Sequence, residues 1–174
     1  MKKILACFTL GLALSACNWH LRGSVDSAQH LSQLYVSAID NRGALMTELR
    51  QILNANHATL TEDSFAANYS LRILEEKKEK RSAGVGGDSL SSAYEITMKA
   101  PYEIQLKNSN QTIKGTAISV RSFNYNTAAI NSAAQEEAVL DTEMRRDLAQ
   151  QMLRRLNAVI ANPPVEKPKH KNNG

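Results

Sequence analysis

The chain has 174 residues, 43% hydrophobic and 22% charged, which suits one globular domain of the usual ~100–200 residues and excludes disorder throughout. A polytopic membrane protein is excluded too, because the only long apolar run, Ile4 to Leu14, is broken by Thr9 and Gly11 and falls short of the ~20 residues a spanning helix needs. The formal charge of +4 is misleading: beyond residue 16, with Lys2 and Lys3 set aside, 19 basic residues face 17 acidic ones, and residues 163–174 hold three lysines against one glutamate, so the folded part is neutral and offers no basic field for nucleic acid.

In chain order, Lys2 and Lys3 form a positive n-region, Ile4 to Leu14 an apolar h-region, and Leu14-Ser15-Ala16-Cys17 a small-residue exit, the three parts of a secretory signal over residues 1–16. Leu-Ser-Ala-Cys resembles the bacterial lipobox, which implies an S-diacylglycerol and an N-acyl group on Cys17. Cys7 leaves with the signal and Cys17 becomes the lipid attachment, so no thiol remains for a disulfide, a metal or a nucleophile. Two acyl chains already hold a protein stably at a bilayer, at about 0.8 kcal/mol per buried methylene. The resemblance to lipoproteins further implies that Asn18, rather than an acidic residue after the cysteine, favours export to the outer membrane.

Residues 17–27 read as a lipidated tether and 28–162 as the domain. Gln33 to Ile39 alternates and predicts a strand. Leu45, Leu49, Ile52 and Leu53 fall at i, i+4, i+7 and i+8, an apolar stripe on a helix over 43–56. Tyr69, Leu71 and Ile73 suggest a second strand, which runs into the charged stretch Glu75 to Arg81. The clearest pattern follows: even positions from Tyr94 to Leu106 are apolar and odd positions from Glu95 to Lys107 polar, except Pro101, a half-buried strand. Proline cannot donate to a ladder, so a bend or an edge is expected there. Asn108 to Gln111 turns the chain, and Thr112 to Phe123 returns as the hairpin partner. Ser132-Ala133-Ala134-Gln135 is expected to form a capping box opening a helix to about Ala161, ended by Pro163-Pro164. Its apolar residues, Leu140, Met144, Leu148, Met152, Leu156 and Ile160, recur every four, so the stripe wraps slowly around the helix and suits a twisted sheet. Residues 163–174 read as a disordered basic tail.

Strands with one apolar face and two amphipathic helices give an α/β (α+β) two-layer sandwich, helices on one side. The other sheet face, with Glu95, Thr97, Lys99, Glu103, Gln105 and Lys107, suits water or the polar inner wall of a barrel.

Four stretches, in order, resemble the LptE family of lipopolysaccharide-assembly lipoproteins: Cys17-Asn18-Trp19-His20-Leu21-Arg22 after the lipobox, Ala93 to Met98, Arg121-Ser122-Phe123, and the final helix with Glu143 to Arg146 and Leu153 to Leu156. The resemblance implies two helices on a mostly antiparallel four-stranded sheet. It further implies a lipid-anchored outer-membrane protein, facing the periplasm or lodged in the lumen of the LptD β-barrel. There it would plug and help assemble the barrel and bind lipopolysaccharide on its way to the cell surface, with no cofactor and no catalysis. The family ascribes lipopolysaccharide contact to basic residues in the loop before the long strand and near the start of the last helix. Those places hold Gly87 and Ala134 here, so neither basic residue carries over.

The nearest substitutes are Lys77, Lys78, Lys80 and Arg81, the densest basic cluster, able to pair with lipid phosphates. Glu75, Glu76 and Glu79 offset all but +1 of it, so a solvated surface is the alternative. Trp19 and Leu21, close to the lipid, suit a membrane interface or a neighbouring barrel, or serve only as spacer. Arg121, Phe123 and Tyr125 leave the hairpin on alternate positions, toward either a barrel wall or the sheet's own packing. Arg154 and Arg155 complement the dipole of the last helix. The glycines of residues 84–87 lack a P-loop's spacing and its Lys-Ser/Thr. The four histidines are scattered, without metal-ligand spacing, and no serine sits in Gly-x-Ser-x-Gly, so an enzyme has no support. A free-standing lipoprotein facing the periplasm and binding a soluble ligand or cell wall is the other functional class.

Overall fold

In the computed structural model, which describes residues 31–85, 91–107, 109, 111–124 and 130–163, alternation builds the first strand, β1 (Leu34–Ala38), with Leu34 and Val36 buried. Gly43 then caps helix α1 (Ala44–Ala55), whose buried stripe is Leu45, Met46, Leu49 and Leu53, so this helix falls where the periodicity predicts it. It ends in a Schellman motif: the Ala58 amide donates to Leu53 O at 3.0 Å and the His57 amide to Asn54 O at 3.0 Å, with His57 at φ 57° where glycine is usual. Four more strands follow the two-residue β2 (Leu60–Thr61): β3 (Tyr69–Ile73), β4 (Lys77–Val85), β5 (Ser91–Leu106) and β6 (Thr112–Asn124), before helix α2 (Ile130–Ala161).

These make one six-stranded mixed sheet. β2, β1 and β3 run parallel, while β3, β4 and β6 all pair antiparallel with β5. The long β5 is therefore central, with β6 along one edge. Its other edge is shared end to end by β3, against Tyr102 to Leu106, and β4, against Ser91 to Lys99. The six strands occupy four lines plus the short β2. The expected four-stranded count is corrected in that sense, and the charged stretch from Lys77 onward proves to be a strand in its own right.

Pro101 explains the split. In an antiparallel ladder a residue's N–H and C=O point to the same side. The Pro101 carbonyl accepts the Leu74 amide at 2.9 Å, so its missing N–H also faces the β3–β4 line, and that line breaks between Ile73 and Lys77. The proline expected to mark an edge thus marks a gap in the neighbouring strand.

Even residues of β5 face the helices, as the pattern predicts: Ile96, Met98, Ala100, Tyr102 and Ile104 are buried. They meet Met144, Leu148, Met152 and Leu156 of α2 in one core with α1 and the inner residues of β1 and β3, each such Leu or Met contributing about 1.5–3 kcal/mol by burial. α2 has 32 residues, a length of about 48 Å at 1.5 Å per residue. It starts at Ile130, two residues before the expected cap, so Ser132 lies inside the helix. Both helices lie on one sheet face, and no described element covers the other.

Candidate functional site

Strand alternation decides what the basic cluster on β4 does. Residues 78 and 80 pair in register with Met98 and Ile96, so they face the helices. Residues 77 and 81 pair with Lys99 and Glu95 and face outward. The four cations are therefore divided between two faces of the sheet.

On the helix side, Lys78 Nζ donates to Glu137 Oε1 at 2.7 Å and to Asp141 Oδ2 at 2.8 Å, and Lys80 Nζ to Glu137 Oε2 at 2.6 Å. Both acids are on α2, one helical turn apart, so the helix is clamped to β4 by charge. The Lys80 ammonium also lies 4.6 Å from the Tyr94 ring centroid and 5.2 Å from that of Phe123, a cation–π contact on two rings stacked at 5.8 Å. Burial pulls the Lys78 pKa down, but Asp141 and Glu137 outweigh it and hold the ammonium above its ordinary 10.5. Hydrogen bonds from Lys78 and Lys80, against partial burial, hold Glu137 below its ordinary 4.5. On the open side, Lys77 pairs with Glu75 at 3.1 Å and Arg81 Nη2 with Glu95 at 2.7 Å. Each of the four thus has a carboxylate partner, and those on the helix side have strand or helix neighbours that hold them in place.

The hairpin residues share one face: Arg121 and Phe123 pair in register with Ile96 and Tyr94 and lie on the helix side. Phe123 is only 4% exposed, packed on the helix face. Arg121 donates to the Val120 carbonyl at 2.9 Å and lies 3.9 Å from Asp147 of α2. Asp147 also accepts the buried Ser119 hydroxyl at 2.8 Å. One turn on, the Gln151 amide satisfies both backbone groups of Ile118, donating to its carbonyl at 2.8 Å and accepting its amide at 3.1 Å. The N–H and C=O of Ile118 point away from β5, so Gln151 acts as a one-residue partner on an edge that has no strand partner among the described residues. No sequence pattern pointed to Gln151, Glu137 or Asp141. Each is an ordinary polar residue on a helix until the fold brings the sheet beside it.

A concavity of about 770 Å³ lies on the helix side where Leu45 and Met46 of α1 approach Leu74 and Pro101, and its lining includes Arg145, which donates to Glu76 at 2.7 Å. A second, of about 530 Å³, lies on the open sheet face beside β1 and β3. Cys17, Trp19, Leu21, Gly87 and Tyr125 fall outside the described residues, and Ala134 is exposed on α2. Among the described residues no group of three or more His, Cys, Asp or Glu side chains could hold a metal, and no helix is long and apolar enough to cross a membrane. What the geometry offers is polar, shaped surface for binding.

Comparison with known proteins agrees with the architecture. A family model described as LptE, lipopolysaccharide-assembly, matches residues 31–156. The LPS-assembly lipoprotein LptE of Photorhabdus laumondii is 25% identical over 168 residues, 95% of this chain and 91% of the relative. That of Pectobacterium atrosepticum is 25% identical over 171 residues, covering 95% and 92%. Among solved structures, rare lipoprotein B from Shewanella oneidensis superposes with a TM-score of 0.69 at 18% identity, covering 75% of this chain and 97% of its own. A minor lipoprotein from Acinetobacter baumannii does so with a TM-score of 0.57 at 26% identity, covering 74% and 92%.

Proposed function

This chain belongs to the LptE family of lipopolysaccharide-assembly lipoproteins, and from that premise we propose that it plugs and helps assemble an LptD-like outer-membrane β-barrel and binds lipopolysaccharide as it passes to the cell surface. A role in lipopolysaccharide transport follows from membership itself. The observation that carries the finer reading is the match over residues 31–156, joined to a two-layer fold in which no described element covers one polar sheet face. A sheet face of Thr97, Lys99, Glu103 and Gln105 suits the polar interior of a barrel.

Residues 1–16 act as signal peptide, 17–27 as tether, 28–162 as the working domain and 163–174 as a basic tail. Cys17 carries the N-acyl and S-diacylglycerol groups that hold the chain in the outer membrane, periplasm-facing or inside the lumen, with Trp19 and Leu21 next to the lipid. The chain acts by shape and surface and performs no chemistry. Of the lysines and arginine on β4, Lys77 and Arg81 are the ones whose strand positions face outward, which supports these two as lipopolysaccharide contacts. Lys78 and Lys80 are engaged with α2. Arg121 sits at the rim of the hairpin, where contact with a barrel wall is compatible with its exposure.

The test is purification of the full-length lipoprotein from outer membranes in mild detergent. Recovery of a β-barrel in equimolar amount is expected. A lipoprotein recovered alone, in cells whose surface lipopolysaccharide is normal without it, refutes the plug and returns the free-standing reading.

A further inference from the structure

We propose that the cleft around Arg72 on the open sheet face is the anchor by which this domain docks to a polypeptide partner presenting a carboxylate flanked by apolar side chains. Resting on the function proposed above, that partner is the inner wall of the barrel.

The cleft exists because small side chains floor it. Ser37 lies opposite Arg72 across β1 and β3, and Ser70 opposite Gln105 across β3 and β5, which leaves about 530 Å³ between higher walls. The walls are Ile39 and Phe65, at 79% and 90% exposure the two most exposed large hydrophobic residues described. Such side chains occurring singly need no explanation, but both line one concavity. Phe65 is held outward by its turn: its amide donates to Asp63 Oδ1 at 2.8 Å, and the Asp63 amide to Thr61 Oγ1 at 3.2 Å. Tyr35 completes the lining. Arginine, tyrosine and an exposed aromatic around a concave floor is the composition of an interface anchor.

Charge selects the occupant. Arg72 makes no ion pair among the described residues, and Glu103, opposite it in register, pairs with Lys114 at 3.2 Å. A guanidinium in that position is complementary to a planar carboxylate. The neighbouring Glu103 opposes a multiply charged phosphate, so a lipid headgroup fits less well than a polypeptide surface, which can offer a carboxylate to Arg72 and a donor to Glu103 at once.

The experiment uses the full-length lipoprotein expressed with its barrel. Phe65→Ser with Arg72→Glu alters two exposed side chains outside the core, so thermal unfolding of the lipoprotein is expected to be unchanged while barrel recovery falls at least about tenfold. Arg72→Lys is expected to fall less. A photo-crosslinking amino acid placed at position 65 is expected to give an adduct with the barrel. Undiminished recovery with no adduct, beside a wild type that retains its barrel, overturns this inference and leaves the proposed function standing. A wild type without a barrel overturns both. Intact barrel recovery with lost binding to lipopolysaccharide-containing vesicles identifies the cleft as a lipid site and also overturns it.

Discussion

Gly115 sits in β6 directly opposite Tyr102 of β5, and the tyrosine ring lies over the space a side chain would need. A Cβ at Gly115 would come 2.5 Å from Tyr102 Cζ, 2.6 Å from its hydroxyl and 3.0 Å from Cε2, so Gly115→Ala forces the ring to move by about 1 Å to reach ordinary contact near 3.5–4.0 Å. The clash is with the far end of a side chain, which in solvent would simply turn aside. Tyr102 is 5% exposed and belongs to the core, and burial, opposed by Arg155, holds its phenol above the usual 10.0. Overpacking of this kind costs about 1–3 kcal/mol, while alanine in place of glycine in a strand returns roughly 0.5–1 kcal/mol by reducing chain entropy. The net expectation is a loss of about 1–2 kcal/mol, which for a domain of this size lowers the melting temperature by roughly 2–8 °C. Urea denaturation of the domain, followed by circular dichroism, measures it. In a Tyr102→Leu background the same substitution is expected to be neutral or stabilising, giving a coupling of at least ~1 kcal/mol. Gly115→Ala at or above wild-type stability, or additive effects in the two backgrounds, would refute the argument that this glycine is there to admit the ring.

Three further outcomes are expected. Glu137 is depressed, so its contribution to the clamp is complete above 4.5 and is lost as the pH falls through its lower folded value; Lys78 is raised, so its contribution is complete below 10.5 and is lost as the pH climbs through its higher one. Amide exchange in the first half of α2 should accelerate at both extremes before the core exchanges, and Glu137→Gln should abolish the acid limb. His57→Gly relieves a left-handed residue at the end of α1 and should raise the unfolding free energy from urea denaturation by a few tenths to ~1 kcal/mol; an unchanged value argues against strain there. Gln151→Ala removes the two exposed hydrogen bonds to the Ile118 backbone at a cost of ~0.5–1.5 kcal/mol each and opens a strand edge to solvent, so light scattering should detect concentration-dependent association absent from the wild type.

Much of the fold was legible because β5 and both helices carry long, regular patterns, each settled by its apolar residues. What escaped was local or three-dimensional. Leu60–Thr61 is too short to alternate, and the β3–β4 break depends on a proline in a different strand. The basic cluster was misgrouped as one patch for a simpler reason. Had Lys77 to Arg81 been taken as a strand, its period of two would have separated Lys78 and Lys80 from the others. The runs of lysine and glutamate, depleted in strands generally, obscured that. The Arg72 cleft was equally hidden, since Tyr35, Phe65 and Arg72 come from three segments that only the parallel pairing of β1 with β3 brings together.

The same alternation makes the domain unequal from end to end. Toward the start of β1 the space between sheet and helices is filled by Leu34, Leu53, Leu71 and Ile104, all buried. Toward the far end of the β4–β5 hairpin, past Met144 on α2, the inner face offers Lys78, Lys80 and a pair of stacked rings, and α2 presents Glu137 and Asp141 to them with exposed residues on either side. Apolar burial contributes more per residue than partly solvated ion pairs, which are worth about 0–1 kcal/mol each. The β4–β5 hairpin end, where Ile96 and Met98 are the fully buried apolar residues of β5, is therefore expected to open at lower free energy than the rest. Under the proposed plug function, the domain would then adjust at its charged tip, with the Arg72 cleft beside β1 remaining rigid.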